Sequence, residues 1–158
     1  MTIITLLIIS GLVILDQLSK LWAVAALGQG RDILLWKNIF HLTYIENRGA
    51  AFGMLQGKQW FLISMTILVL IAIIIYFRKI PSTPSGKWMK LSFVLIISGA
   101  IGNLIDRISL SYVRDFLYFR LIDFPVFNVA DIFVVVGVGI LLVVIIFGEI
   151  DTPQGAEE

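Results

Sequence analysis

The sequence predicts an all-α membrane protein: four transmembrane helices with a small extracytoplasmic cap of β-sheet and short helix. Composition is the first reason. Of 158 residues, 59% are apolar and only 15% are charged, where an ordinary soluble domain has about 45–50% and about 25%. Distribution is the second. The excess sits in four apolar stretches near residues 3–27, 60–77, 91–108 and 126–147, each close to the roughly 20 residues that cross a bilayer. The connection over residues 28–59 is the third, because it is too long to serve only as a link. The length suits a single membrane domain over residues 1–150, followed at 151–158 by an acidic tail expected to be disordered and cytoplasmic.

The first stretch invites a reading as a cleaved signal peptide, since Ala23-Val24-Ala25 has the small-x-small form of a cleavage site. No Lys or Arg precedes its apolar core, however, and Asp16 and Lys20 interrupt it. It is therefore expected to be a retained span. In the connection that follows, Phe40, Leu42 and Tyr44 alternate with His41 and Thr43, the period of a half-buried strand. Residues Gly49 to Leu55 are expected to form a short interfacial helix. Glycines at 49 and 53 can absorb backbone change, so residues 28–55 are expected to act as a mobile lid over the outer face. The loop after the second span holds Arg78, Lys79, Lys87 and Lys90 and no acid. The positive-inside rule then puts that loop and both termini in the cytoplasm. Gly99, Gly102, Gly137 and Gly139 are expected to let helices pack closely.

Depth along the spans gathers the expensive residues at one level. Asp16 lies about 21 Å along the first span at about 1.5 Å per residue. Asn103, Asp106 and Arg107 end the third span, Asn128 and Asp131 begin the fourth, and Asn47 and Arg48 lie in the long connection. All of these fall in the outer half, and ionisable groups at membrane depth usually mark function. The spacings are orderly. Asp16 and Lys20 are i, i+4 with the acid first, a favourable ion-pair geometry. Asn103 shares a helix face with Asp106 and Arg107. Each residue also has a plainer reading. Asp16 and Lys20 could pair only to set helix register. Asn103, Asp106 and Arg107 could be a helix end among headgroups, Asp115 an ordinary loop acid, and Asp131 a helix cap favoured by the dipole.

The chain has no cysteine and one histidine, His41, so a thiol nucleophile and a disulfide framework are excluded. A zinc centre is not expected, nor any other metal or cofactor. A net charge of +1 gives no reason to expect nucleic acid. What remains is a set of carboxylates. A transporter using Asp16 and Asp131 as cation sites would fit intramembrane acids, but not their absence from the inner half. A presenilin-type protease would carry Gly-x-Gly-Asp, and here Gly137-Val138-Gly139 is followed by Ile140.

Five segments taken in order carry a resemblance. They are Leu15-Asp16-Gln17-Leu18-Ser19-Lys20, Asn47-Arg48-Gly49-Ala50-Ala51-Phe52-Gly53, Gly102-Asn103-Leu104-Ile105-Asp106-Arg107, Val113-Arg114-Asp115-Phe116 and Phe127-Asn128-Val129-Ala130-Asp131. The series closely resembles the bacterial lipoprotein signal peptidases, signal peptidase II. The resemblance implies a four-helix aspartyl protease of the bacterial cytoplasmic (inner) membrane. It implies cleavage of the signal peptide of prolipoproteins just before a cysteine that carries diacylglycerol, near the outer face. By motif, Asp115 and Asp131 would be the catalytic dyad. Asp16, Lys20, Asn47, Gly49, Asn103, Asp106, Arg107, Asn128 and Ala130 would support it or bind substrate. The implied partners are lipid-modified prolipoproteins and membrane lipids, with inhibition by the cyclic peptide antibiotic globomycin. Arg114 departs from the pattern, since an apolar residue commonly precedes the dyad aspartate. That departure bears on local substrate preference.

Overall fold

The computed structural model describes residues 1–50 and 54–147. Among the described residues, four helices are long and apolar enough to cross a membrane: α1 (Ile3–Leu27), α2 (Gln59–Phe77), α3 (Pro84–Leu110) and α4 (Val129–Phe147). Their sequences are Leu-, Ile- and Val-rich around most of the circumference, and large apolar side chains such as Leu7, Leu68 and Ile146 stay exposed. That surface suits lipid, which is as apolar as the side chains themselves. Half of the most apolar window of α3 is buried, against 11% of that of α4. The third helix is thus the centre of the bundle, and α1, α2 and α4 all pack on it.

Close approach at α3 depends on glycine. A β-carbon at Gly99 would collide with the Ala130 carbonyl, and one at Gly102 with the carboxylate of Asp16. The start of α4 and the middle of α1 are therefore drawn against α3 at the same level. Gly137 also packs tightly, against Ile96 and the Ser92 carbonyl, but Gly139 faces open space and serves no such contact. One apolar core lies between α1, α2 and α3, around Ile9, Leu70, Phe77, Phe93 and Ile97. A second joins the end of α1 to the cap through Ala23, Leu27, Leu42 and Phe116. Ala23, in the segment resembling a cleavage site, is fully buried inside a continuous helix.

The cap is a three-stranded antiparallel sheet in the order β1-β2-β3, with β1 at Ile33–Trp36, β2 at Phe40–Asn47 and β3 at Val113–Phe119. The strand expected around residues 40–44 is the centre of this sheet. The segment carrying Asp115, expected as a loop, is its edge strand. Residues 113–116 are all buried, so no alternation marks the strand in the sequence. Beyond β3 a single 3-10 turn (Arg120–Ile122) leads back. Phe127 then bonds to the Leu117 backbone in both directions, at 2.8 and 2.9 Å. That bridge uses residues expected to open the fourth span, and α4 begins only at Val129.

The third helix begins earlier than its apolar run, at Pro84 rather than 91. Thr83 caps it, accepting from the Gly86 N–H at 3.1 Å, and proline suits the first helical position. Of the short helix expected over residues 49–55, Gly49 and Ala50 form a bend and residues 54–57 a turn, while 51–53 lie outside the described residues. Much of the segment expected as a lid, residues 28–55, is sheet. Strand β2 pairs with β3 from Phe40 to Asn47 and with β1 on its other side. The expected tail at 151–158 lies outside the described residues.

Candidate active site

Asp115 and Asp131 reach one cavity from different elements. Asp115 sits on β3 opposite Ile45 of β2. Asp131 sits in the first turn of α4, where it closes a reciprocal cap. The Asn128 N–H donates to Asp131 Oδ2 at 3.0 Å, and the Asp131 N–H donates to Asn128 Oδ1 at 3.0 Å. This is the capping-box arrangement, with an asparagine and an aspartate in the paired positions. The plain reading of Asp131 as a helix cap is therefore correct, and the cap is also what aims its carboxylate.

Three asparagine amides hold the two carboxylates. Asn47 Nδ2 donates to Asp115 Oδ2 at 2.9 Å, and Asn128 Nδ2 donates to Asp115 Oδ1 at 2.6 Å. Asn103 Nδ2 donates to Asp131 Oδ1 at 2.8 Å. Each amide oxygen is fixed by a donor on its other side. Asn47 Oδ1 accepts from the Gly49 N–H at 2.9 Å, Asn128 Oδ1 from the Asp131 N–H, and Asn103 Oδ1 from Lys20 Nζ at 2.9 Å and from Asn128 Nδ2 at 3.1 Å. An amide can present either end, and here each must present its NH₂ to a carboxylate. Among the described residues, neither carboxylate forms an ion pair with Lys or Arg.

A buried charge cluster adjoins them, one hydrogen bond away through Asn103. Lys20 Nζ lies 2.9 Å from Asp16 Oδ2 and 3.4 Å from Asp106 Oδ2, and all three side chains are fully buried. The ion pair expected from the i, i+4 spacing is present. Asp16 Oδ1 also accepts the Ala130 N–H at 3.0 Å, so α1 helps cap α4 directly before Asp131. Arg114 completes the cluster at 2.6 Å from Asp106 Oδ1. Its side chain lies among these buried residues and is not part of the cavity lining. Gln17 binds into the same cluster, its Nε2 bonding to Asp16 Oδ2 and to the Gly102 carbonyl, each at 3.1 Å.

Burial pushes the Asp115 carboxyl up to about 7, with the neighbouring Asp131 carboxylate as the next cause. The hydrogen bonds from Asn47 and Asn128 act against that rise. On the same strand, the hydrogen bond to Asp106 raises the Arg114 guanidinium above its usual range, so it stays charged. The cavity holds about 700 Å³ and is lined by Asn47, Asn103, Arg107, Asp115 and Asp131 together with apolar side chains that include Val135 of α4. Arg107 Nη2 reaches the Gly49 carbonyl at 3.4 Å, while its buried Nε has no partner among the described residues.

Every site residue expected from the sequence thus falls in one of these two adjoining groups. Sequence reasoning missed Gln17 as a bridge and Arg114 as a cluster member. The available signal was an arginine next to an aspartate inside an otherwise apolar Val-x-x-Phe segment, because an arginine with no water needs carboxylate partners.

Fold and site together define a multi-pass membrane protein with a pair of carboxylates, one buried and one half-buried, at an apolar cavity. A family model described as signal peptidase (SPase) II matches residues 8–147. The lipoprotein signal peptidase of Clostridium tetani is 47% identical over 137 residues, 85% of this chain and 86% of that one. That of Clostridioides difficile is 46% identical over 144 residues, covering 91% and 95%, and that of Streptococcus pyogenes serotype M6 is 46% identical over 140 residues, covering 89% and 90%. A solved structure of a bacterial membrane enzyme superposes with a TM-score of 0.81 at 30% identity, over 98% of this chain and 94% of the other. The chain belongs to the signal peptidase II family, and it is a membrane-bound aspartic peptidase.

Proposed function

We propose that the protein removes signal peptides from diacylglyceryl-modified prolipoproteins, with Asp115 and Asp131 as the catalytic dyad, cutting just before the lipidated cysteine. The observation that carries this reading is the pair of carboxylates on one cavity, each held by neutral amides and, among the described residues, neither ion-paired with a cation. A carboxylate clamped by Arg or Lys is a poor proton acceptor. Two close carboxylates held by neutral donors share a proton instead. The ionised member then takes a proton from the attacking water, and the protonated member polarises the scissile carbonyl. As the tetrahedral intermediate collapses, the proton taken from water passes to the leaving amine. The pair works as a unit, so no fixed role is given to either aspartate. Arg107 lines the same cavity and brings a cation to where a substrate carbonyl would lie.

The substrate fits the setting. Its apolar signal segment and acyl chains stay in lipid, against the apolar wall of the cavity from α4. The basic loop with Arg78, Lys79, Lys87 and Lys90 supports an orientation with both termini in the cytoplasm, in which the sheet and the dyad lie at the outer face. A cyclic peptide such as globomycin would occupy the same cavity and block it. The test is cleavage of matched lipidated and unlipidated prolipoprotein by the purified protein in nanodiscs. Cleavage of the lipidated form alone, stopped by globomycin, is the expected result. Equal cleavage of both forms, or of neither, would overturn the substrate assignment.

A further inference from the structure

Arg114 stands directly before Asp115 on β3, and its side chain is 8% exposed. Its bonds converge on one carboxylate. Nη2 lies 2.6 Å from Asp106 Oδ1, Nε lies 3.2 Å from Asp106 Oδ2, and the Arg114 backbone N–H lies 3.0 Å from that same oxygen. A further bond from Nη2 reaches Gln17 Oε1 at 2.9 Å. Both oxygens of Asp106 are engaged by the guanidinium, the strong fork geometry of an arginine–carboxylate pair. The contact forms because α3 ends in a left-handed residue, Ser111 with φ 65°, which turns the chain back so that β3 starts beside the last turns of α3.

The effect on Lys20 follows from counting charges and donors. Asp16 and Asp106 are balanced by Lys20 and Arg114. With Asp106 satisfied by the arginine, Lys20 stays 3.4 Å from it and keeps its shorter contacts, 2.9 Å each, for Asp16 and Asn103. Without the guanidinium, a buried carboxylate is left uncompensated, a costly state. Lys20 is then the cation of the cluster that can answer it. Drawing Lys20 toward Asp106 pulls the ammonium off its 2.9 Å contact with Asn103 Oδ1, and that contact, together with the 3.1 Å bond from Asn128 Nδ2, turns the Asn103 amide toward Asp131.

We propose that Arg114 is a positioning residue for peptide hydrolysis: by saturating Asp106 it leaves Lys20 to Asn103, and so holds the Asn103 amide on Asp131. The proposal rests on the assignment of Asp115 and Asp131 as the reacting pair. It is tested with the full chain in nanodiscs and a synthetic diacylglyceryl-modified prolipopeptide, comparing wild type, Arg114→Leu and Arg114→Lys. In parallel, the side-chain amide NMR signal of Asn103 is followed in asparagine-labelled protein without substrate. Arg114→Leu is expected to lower kcat about tenfold to a hundredfold, the scale of a small misplacement of a catalytic group. KM should hold and the Asn103 signal should move. Arg114→Lys, which keeps the charge but not the fork, should fall between wild type and Leu in both readouts. An unchanged kcat, an unmoved Asn103 signal, or a change confined to KM would each overturn the proposal. Where Arg114→Leu does not fold, the Lys variant decides by the same criteria. If Asp131→Asn stays active in the same assay, the dyad assignment fails, while the Asn103 signal still reports whether Arg114 sets that amide.

Discussion

Lys20 stops one residue short of Asp131. Its ammonium lies 2.9 Å from Asn103 Oδ1, and it is the Asn103 amide that touches the Asp131 carboxylate, at 2.8 Å. A direct lysine contact would hold Asp131 ionised. The intervening amide passes on orientation without a full charge. Most of what distinguishes this pair from an ordinary buried ion pair follows from that spacing.

The two ends of the Asn128 amide have separable tasks, and its Nδ2 also donates to Asn103 Oδ1 at 3.1 Å. Its Oδ1 caps α4, and its Nδ2 donates to Asp115. Serine can cap a helix as well as asparagine can but carries no second donor amide for Asp115. Asn128→Ser is expected to keep thermal stability close to wild type while kcat falls by roughly tenfold or more, the scale of a disturbed catalytic geometry. Asn128→Ala should lose activity and also about 0.5–2 kcal/mol of stability through the lost cap. Thermal melts beside steady-state kinetics check both. Full activity in the serine variant would mean the Asn128 amide is not needed on Asp115.

The Asp16–Lys20 pair makes a second separation of stability from activity. Lys20→Met leaves buried carboxylates short of a cation, a loss of about 3–5 kcal/mol for a broken buried pair. Asp16→Leu with Lys20→Met removes one charge of each sign and should recover much of that stability in a denaturation series. Activity should stay low in both, because Asn103 has lost its lysine and Ala130 its acceptor. Recovery of activity together with stability would show that the pair serves the fold alone.

The pH dependence has a defined sign. Asp115 is held up to about 7 by burial and then by Asp131, so it keeps its proton below that pH and loses it as pH rises through it. A mechanism needing one shared proton then loses rate on the alkaline side, with an apparent value near 7 that belongs to the pair. The Asn47 bond favours the ionised form of Asp115. Asn47→Ala should therefore move the alkaline limb to higher pH in a kcat/KM profile. A limb that stays in place or moves down contradicts this account.

The helices were legible because lipid demands long apolar runs, and the level of the site was legible because acids such as Asp16 and Asp131 stand out within them. The Asp16–Lys20 contact follows from helix spacing alone. Strand β2 shows in the alternation of Phe40, Leu42 and Tyr44. Strand β3 does not, because Val113, Arg114, Asp115 and Phe116 are buried on both faces and give no period of two. Hidden too was the partner of Arg114, which the turn at Ser111 brings back onto Asp106. The early start of α3 at Pro84 was masked by Lys87 and Lys90, polar residues that a capped helix end tolerates. The asparagine orientations belong to no local pattern, since the groups that fix Asn103 come from α1 and α4.

The central claim is that Asp115 and Asp131 together perform the hydrolysis, and one assay tests it most directly. Asp115→Asn and Asp131→Asn, each nearly the same shape as the native side chain, are reconstituted in nanodiscs with lipidated prolipoprotein, and release of the signal peptide is followed. Asp32→Asn and Asp123→Asn serve as controls, being acids outside the cavity lining. Both dyad variants should remain inserted and folded yet release no signal peptide, while both controls stay largely active. Turnover near the wild-type rate in either Asp115→Asn or Asp131→Asn would contradict the account.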